Sequence, residues 1–207
     1  IQSIIRTPLR SFLTALGIII GVSAVIIMVA IGKGSEERIQ NQINSLGTNL
    51  IMVSPGAART SGVSMGAGSL TKLTFADVTK LSKEATTIRY ISPIVRASGQ
   101  IIGGSGNWNT SIMGVSLDYF AMKNWELERG EFFTERDVVA GKKIVLLGKT
   151  VAENLFANEN PVGKTIRINN TPFIVCGVLK EKGQSGMQDQ DDIVLAPVTT
   201  VFYRLKG

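Results

Sequence analysis

The chain is 207 residues long, with a formal net charge of +6, a single cysteine and no histidine. One cysteine excludes an internal disulfide and a thiol pair for a metal, and the lack of histidine removes the usual general base and the commonest transition-metal ligand. Lysine and arginine are scattered singly and never alternate with aromatics. The basic balance therefore describes a solvated surface with an attraction to anionic lipid heads, and no nucleic-acid groove.

Arg6 and Arg10 precede residues 12–31, FLTALGIIIGVSAVIIMVAI, which hold no charge over a length that at helical rise matches the hydrocarbon core of a bilayer. Thr14 and Ser23 are its only hydroxyls, and each can bond its own helix backbone. The run is longer than a signal-peptide core and no A-x-A cleavage site follows, so it reads as an uncleaved anchor. Arg6 and Arg10 are unopposed by acids, whereas Lys33 and Arg38 are mixed with Glu36 and Glu37. That asymmetry puts the N-terminus in the cytoplasm and everything from Lys33 onward outside it. Gly17-x-x-x-Gly21 with Ala24 one turn later sets small residues on one helix face, a candidate helix-packing seam.

The chain opens on Ile1 and reaches Gly207 soon after a helix start, so it reads as a segment of something longer. The part beyond the anchor is the size of one ordinary domain. Ser35-Glu36-Glu37-Arg38 reads as an N-cap with acids in the first turn, followed by Ile39, Ile43 and Leu46 and closed by Gly47. This predicts a short amphipathic stalk, nearly continuous with the anchor.

Leu50-Ile51-Met52-Val53, bounded by Ser54-Pro55-Gly56, predicts a buried strand. Residues 57–69, rich in Gly, Ser and Ala, predict a mobile loop. Thr74-Phe75-Ala76-Asp77 predicts a capping box opening a helix to about Ala85, and residues 88–95 predict a strand that completes a β-α-β unit with the Leu50 strand.

From Gln100 the character changes to hairpins. Residues 100–102 and 108–115 flank a glycine-rich tip, and short strands and turns continue through Trp125, Phe132 and Phe133. Further strands are predicted at 144–147, 165–168, 172–179 and 193–195, with a tight turn at Asn169-Asn170-Thr171, a short helix over 150–156 and a helix starting at Val198. Residues 183–192 predict a second polar loop.

Site chemistry is sparse. Gly148-Lys149-Thr150 and Gly163-Lys164-Thr165 tempt a nucleotide reading, but Lys143 and Asn158 stand where a Walker A loop needs its first glycine. Asp189, Asp191 and Asp192 lack the glycine and distal glutamate of an EF-hand. Cys176 lies in an apolar run and reads as a small buried hydrophobe. No nucleophile, base and orienting acid fall in a recognisable motif, so no catalytic residue, cofactor or metal is assigned.

A series of motifs strongly resembles permeases of the MacB and FtsX superfamily of ABC transporters. It begins with Arg6-Thr7-Pro8-Leu9-Arg10-Ser11-Phe12-Leu13-Thr14-Ala15-Leu16-Gly17-Ile18-Ile19-Ile20-Gly21-Val22, Leu46-Gly47-Thr48-Asn49-Leu50-Ile51 and Ser54-Pro55-Gly56. It continues with Gly114-Val115, Asp118-Tyr119-Phe120, Glu128-Arg129-Gly130-Glu131-Phe132-Phe133, Val145-Leu146-Leu147-Gly148 with Leu155-Phe156, Pro161-Val162-Gly163-Lys164 and Val175-Cys176-Gly177-Val178-Leu179. The glycine-rich Gly17 to Gly21 segment and Pro161-Val162-Gly163-Lys164 favour the MacB-like branch.

The resemblance implies an α+β fold: a transmembrane helix with stalk, then a porter-like α/β part interrupted by a smaller β-rich part and truncated at its C-terminus. The expected divisions are a cytoplasmic flank at 1–10, the membrane helix at 11–32 and an extracytoplasmic core at 33–207. Within that core, 33–99 and 190–207 would be porter-like and 100–189 the β-rich insert. It further implies an export permease subunit in the bacterial or archaeal cell membrane, driven by ATP hydrolysis on a cytoplasmic ABC ATPase. That subunit would work with a membrane-fusion-type adaptor and a second permease copy. Relatives resembling FtsX, which regulate cell-wall hydrolases, and lipoprotein-extraction permeases are the alternatives.

Overall fold

The computed structural model describes residues 8–46, 50–55, 57–60, 63–67, 73–157, 159–185 and 188–206. Arg6, the expected helix stop at Gly47, residues 68–69 of the glycine-rich stretch, and Gly186 and Met187 lie outside the described residues. The chain falls into two units, Ile1–Thr48 and Asn49–Gly207.

The described residues of the first unit form one helix, α1 (Pro8–Leu46), 39 residues without a break. Pro8 suits its first position, where a missing N–H costs no helical bond. Within it, Leu9–Glu37 is long and apolar enough to cross a membrane. Its large side chains, Ile18, Ile26 and Met28 among them, point outward all round, and Thr14 Oγ1 donates to the carbonyls of Arg10 and Ser11 at 3.0 Å, so the hydroxyl is satisfied by its own helix. The expected N-cap at Ser35 does not form. The helix runs through it, and Glu36 and Glu37 lie mid-helix instead of in a first turn.

The second unit opens with two departures from expectation. Leu50 to Val53 is irregular and Ile51 is 85% exposed, because among the described residues no strand lies beside it to complete a ladder. Part of the expected mobile loop instead pairs as an antiparallel ribbon, β1 (Ala57–Thr60) with β2 (Val63–Ala67). Helix α2 (Phe75–Glu84) follows as predicted, with Thr74 N and Oγ1 donating to Asp77 Oδ2 at 2.7 and 2.8 Å and Asp77 N returning a bond to Thr74 Oγ1.

The predicted 88–95 strand is absent before Val95, so no β-α-β unit forms. Pro93 has no N–H for a ladder. The segment is held by side chains instead: Ile91 N donates to Asp118 Oδ2 at 3.1 Å and Ser116 N to Ser92 Oγ at 3.1 Å.

The remaining elements are β3 (Val95–Gly103), β4 (Gly106–Val115), α3 (Asp118–Met122), β5 (Leu127–Gly130), α4 (Glu135–Ala140), β6 (Ile144–Leu147), α5 (Lys149–Phe156), β7 (Thr165–Ile168) and β8 (Thr171–Leu179). They are followed by β9 (Gln184–Ser185), β10 (Gln188–Asp189), β11 (Ile193–Pro197), α6 (Val198–Val201) and a π-helical turn, Phe202–Lys206. The large sheet has the order β5-β8-β6-β11-β4-β3-β7, and β7 pairs again with β8. Six strands therefore close into a ring, with β5 attached outside it on β8.

Alternation along these strands sorts their side chains to two sides. Ile101, Ile112, Val145, Leu147, Ile166, Phe173, Val175, Val194 and Ala196 come from every strand of the ring and form its interior, where α5 adds Val151, Leu155 and Phe156. Met113, Val115, Leu146, Leu179 and Leu195 face the other way and are covered by Tyr119, Phe120, Trp125, Phe133 and Val138. β6 and β11 are buried on both faces, which is why IVLL and IVLAP read as unbroken apolar runs.

Three close approaches need glycine. At the β3–β4 turn Gly104 has φ +57°, and a Cβ there would lie 2.5 Å from the Leu155 carbonyl oxygen; at Gly106 it would lie 2.3 Å from that of Asn154. The glycine-rich tip is thus pressed beneath α5. Gly148, between β6 and α5, would meet the Asp191 carbonyl at 2.1 Å.

Candidate functional site

Lys149 stands at the first position of α5, where a Walker lysine would face phosphate. Its Nζ is taken by Glu128 Oε2 at 2.7 Å, with Glu153 at 3.9 Å, and the Glu128 bond raises its pKa. The neighbouring Thr150 Oγ1 donates to Asp189 Oδ2 at 2.7 Å. Both side chains of this triplet are spent on carboxylates. Beside them lies an open cleft of about 320 Å³ between β5 and α5, lined by Glu128, Arg129, Lys149, Glu153, Pro161 and Val178.

The acidic loop is likewise turned inward. Asp191 is buried, and its carboxylate accepts from Lys182 N at 2.9 and 3.1 Å and from Gly183 N at 2.7 Å. Asp192 Oδ1 accepts from Trp108 Nε1 at 2.8 Å, and its carbonyl accepts from Thr110 Oγ1 at 2.9 Å. Each aspartate thus closes a different corner of the β8–β11 connection, and among the described residues no group of three or more His, Cys, Asp or Glu could hold a metal ion.

Two groups look reactive by type and are not so by setting. Cys176 sits at a bulge, since β6 pairs Val145 with Val175 and then Leu146 with Gly177. Its Sγ donates to the Val145 carbonyl at 3.1 Å, and burial pushes the thiol up to about 11. A thiol so placed is a poor nucleophile at neutral pH. Lys182 is half-buried, donates to the Lys123 carbonyl and lies over the Trp125 ring. Burial first, then the charge of Lys123, pulls it down to about 8, yet its nitrogen points at the protein's own backbone.

The packing candidates Gly17, Gly21 and Ala24 all lie on α1. A Cβ at Gly17 or Gly21 would meet nothing within 4 Å. Sequence reasoning missed the Lys182–Trp125 stack, which no local pattern announces. It also missed a second capping box, Thr134 to Asp137, whose spacing repeats that of Thr74 to Asp77.

The fold offers a long helix of spanning length and a closed barrel. The family model for the MacB-like periplasmic core domain matches residues 11–207. The chain belongs to this family. A macrolide export ATP-binding/permease protein MacB of Chlorobium luteolum is 41% identical over 206 residues, covering 100% of this chain and 31% of that protein. A protein of the same name from Syntrophobacter fumaroxidans is 43% identical over 209 residues, covering 100% of this chain and 29% of that protein. The MacB-like chain thus spans about a third of the length of the curated relatives it matches.

Among solved structures, the periplasmic region of MacB from Actinobacillus actinomycetemcomitans superposes with a TM-score of 0.56 at 31% identity, over 66% of this chain and 60% of that one. The extracellular domain of the noncanonic ABC-type transporter YknZ from Gram-positive bacteria gives 0.58 at 22% identity, over 65% and 67%, a likeness of fold alone. A MacB-like core domain behind an apolar helix is consistent with an inner-membrane protein carrying an extracytoplasmic domain.

Proposed function

We propose that this MacB-like chain is the first membrane helix and outer domain of a permease subunit in an ABC-type export or efflux system. The flank at 1–10 is cytoplasmic, residues 11–32 cross the bilayer, and 33–207 lie outside. ATP hydrolysis, on a separate subunit or on another domain of the same protein, moves the helices. The stalk relays that movement to an outer domain that engages an adaptor or substrate. Gly17, Gly21 and Ala24 form the seam against another membrane helix, in a homodimer.

The porter-like part at 33–99 and 190–207 and the β-rich part at 100–189 are proposed with it. The observation that carries this reading is the single unbroken α1, which continues from the apolar run into a charged stretch within one 39-residue helix. At 1.5 Å per residue that stretch can carry displacement well past a bilayer surface.

The experiment is purification of the full-length protein from gently solubilised native membranes, with ATPase assay and mass spectrometry of bound proteins. ATP hydrolysis together with an adaptor is the expected result. Material free of ATPase activity, under conditions that keep a known membrane complex intact, overturns the transporter reading. Recovery of a cell-wall hydrolase in place of an adaptor moves it to the regulatory class.

A further inference from the structure

We infer that α1 carries a built-in hinge at Gly32 to Ser35, at the depth where the helix leaves the hydrocarbon. The inference rests on the reading of residues 12–31 as membrane-spanning. Gly32 and Gly34 bracket Lys33, the first charge after the apolar run, and Ser35 follows. All four lie inside an unbroken helix.

Each glycine lowers the local helical equilibrium about fivefold relative to alanine. Serine adds a side chain that competes for backbone groups. Among the described residues a Cβ at Gly32 or Gly34 would meet nothing within 4 Å and Lys33 to Glu37 are exposed, so α1 itself supplies no side-chain contact that offsets the loss.

Position in the bilayer decides where such weakness can act. Gly17 and Gly21 are as permissive as Gly32 and Gly34, but they lie within the apolar run, where an opened N–H or C=O finds no water and the helix stays closed. Past Ile31, water or lipid headgroups accept the freed groups, so the same residue type becomes a joint. Lys33, with its ammonium at the headgroup level, pins the joint to the surface. The rod then pivots at the membrane surface while both of its halves stay helical.

The test is hydrogen exchange by mass spectrometry on the full-length protein in phosphatidylethanolamine and phosphatidylglycerol nanodiscs. Wild type is expected to protect residues 12–31 and to exchange amides 33–38 readily. In the double variant Gly32→Ala and Gly34→Ala, exchange at 33–38 should slow roughly 25-fold, the product of two alanine-for-glycine preferences. Gly17→Ala with Gly21→Ala should leave that segment unchanged. An exchange rate at 33–38 that the Gly32/Gly34 substitutions do not move, with 12–31 still protected, overturns the hinge and leaves the spanning helix standing. Free exchange over 12–31 overturns the spanning reading itself.

Discussion

The Lys182 ammonium sits 4.2 Å from the centre of the Trp125 ring and donates to the carbonyl of Lys123. One side chain thereby joins the end of α3 to the segment that follows β8. The ammonium itself lies over the indole, and its burial lowers the pKa to about 8, from 10.5.

The sign of the pH effect follows. Between pH 8 and 10.5 the unfolded chain binds more protons at this lysine than the folded one, so its contribution to stability rises with pH across that window and is lowest below pH 8. Lys182→Met keeps an unbranched side chain at this position and removes the charge. We expect the melting temperature of the variant, relative to wild type, to be highest near pH 7.5 and the difference to shrink by pH 10. With only two tryptophans in the chain, Trp108 and Trp125, fluorescence melting reads this region directly. A pH-independent difference overturns the assignment.

Acid should act at Asp137. The Lys142 ammonium 2.5 Å away, with the Thr134 hydroxyl and N–H, holds its carboxyl down to about 2, from 3.8. Its contribution is complete above pH 3.8 and is lost as pH falls through 2. Asp137→Asn is expected to lower stability at pH 7 and to flatten the acid limb of a melting-temperature profile between pH 4 and 2, relative to wild type.

Gly106→Ala and Gly148→Ala should each destabilise by about 1–3 kcal/mol, the usual range for forcing an extra methyl into a packed site. In both cases the new Cβ meets a backbone oxygen, at 2.3 and 2.1 Å, which has no rotamer by which to retreat. Urea unfolding midpoints measure it, and values within 0.5 kcal/mol of wild type would mean that α5 and the β8–β11 connection shift freely.

Leu155→Ala removes the side chain that α5 drops into the ring interior. A loss of about 2–5 kcal/mol is expected, as for other fully buried leucines. Leu81→Ala on α2, where the leucine is 41% exposed, serves as the control and should cost far less.

Elements that carry their own local reasons were legible in the sequence. The Thr74–Asp77 box, the Asn169-Asn170 turn with φ of +46° and +70°, and the apolar runs of β6, β8 and β11 all appear where spacing and composition put them. What failed were inferences that need a partner. Leu50 to Val53 has strand composition and, among the described residues, no neighbouring strand, and Ser35 has the chemistry of a cap inside a helix already nucleated upstream.

The closure of β7 on β8 lay beyond local pattern altogether, because a ring is a property of non-neighbouring strands. Site chemistry was readable mostly as exclusion. The two GKT triplets failed on spacing, and Lys149 and Thr150 prove to be bound to Glu128 and Asp189.

The ring also dictates an order of assembly. β11, the last strand of this sheet in chain order, is the one that fills the gap between β4 and β6, parallel to the first and antiparallel to the second. Until residue 197 has been made, both neighbours present bare edges and the cylinder stays open. α1, by contrast, lies ahead of every strand of the sheet. α1 therefore precedes the barrel in chain order, and the half-built sheet must be kept from pairing with other nascent chains until the ring shuts.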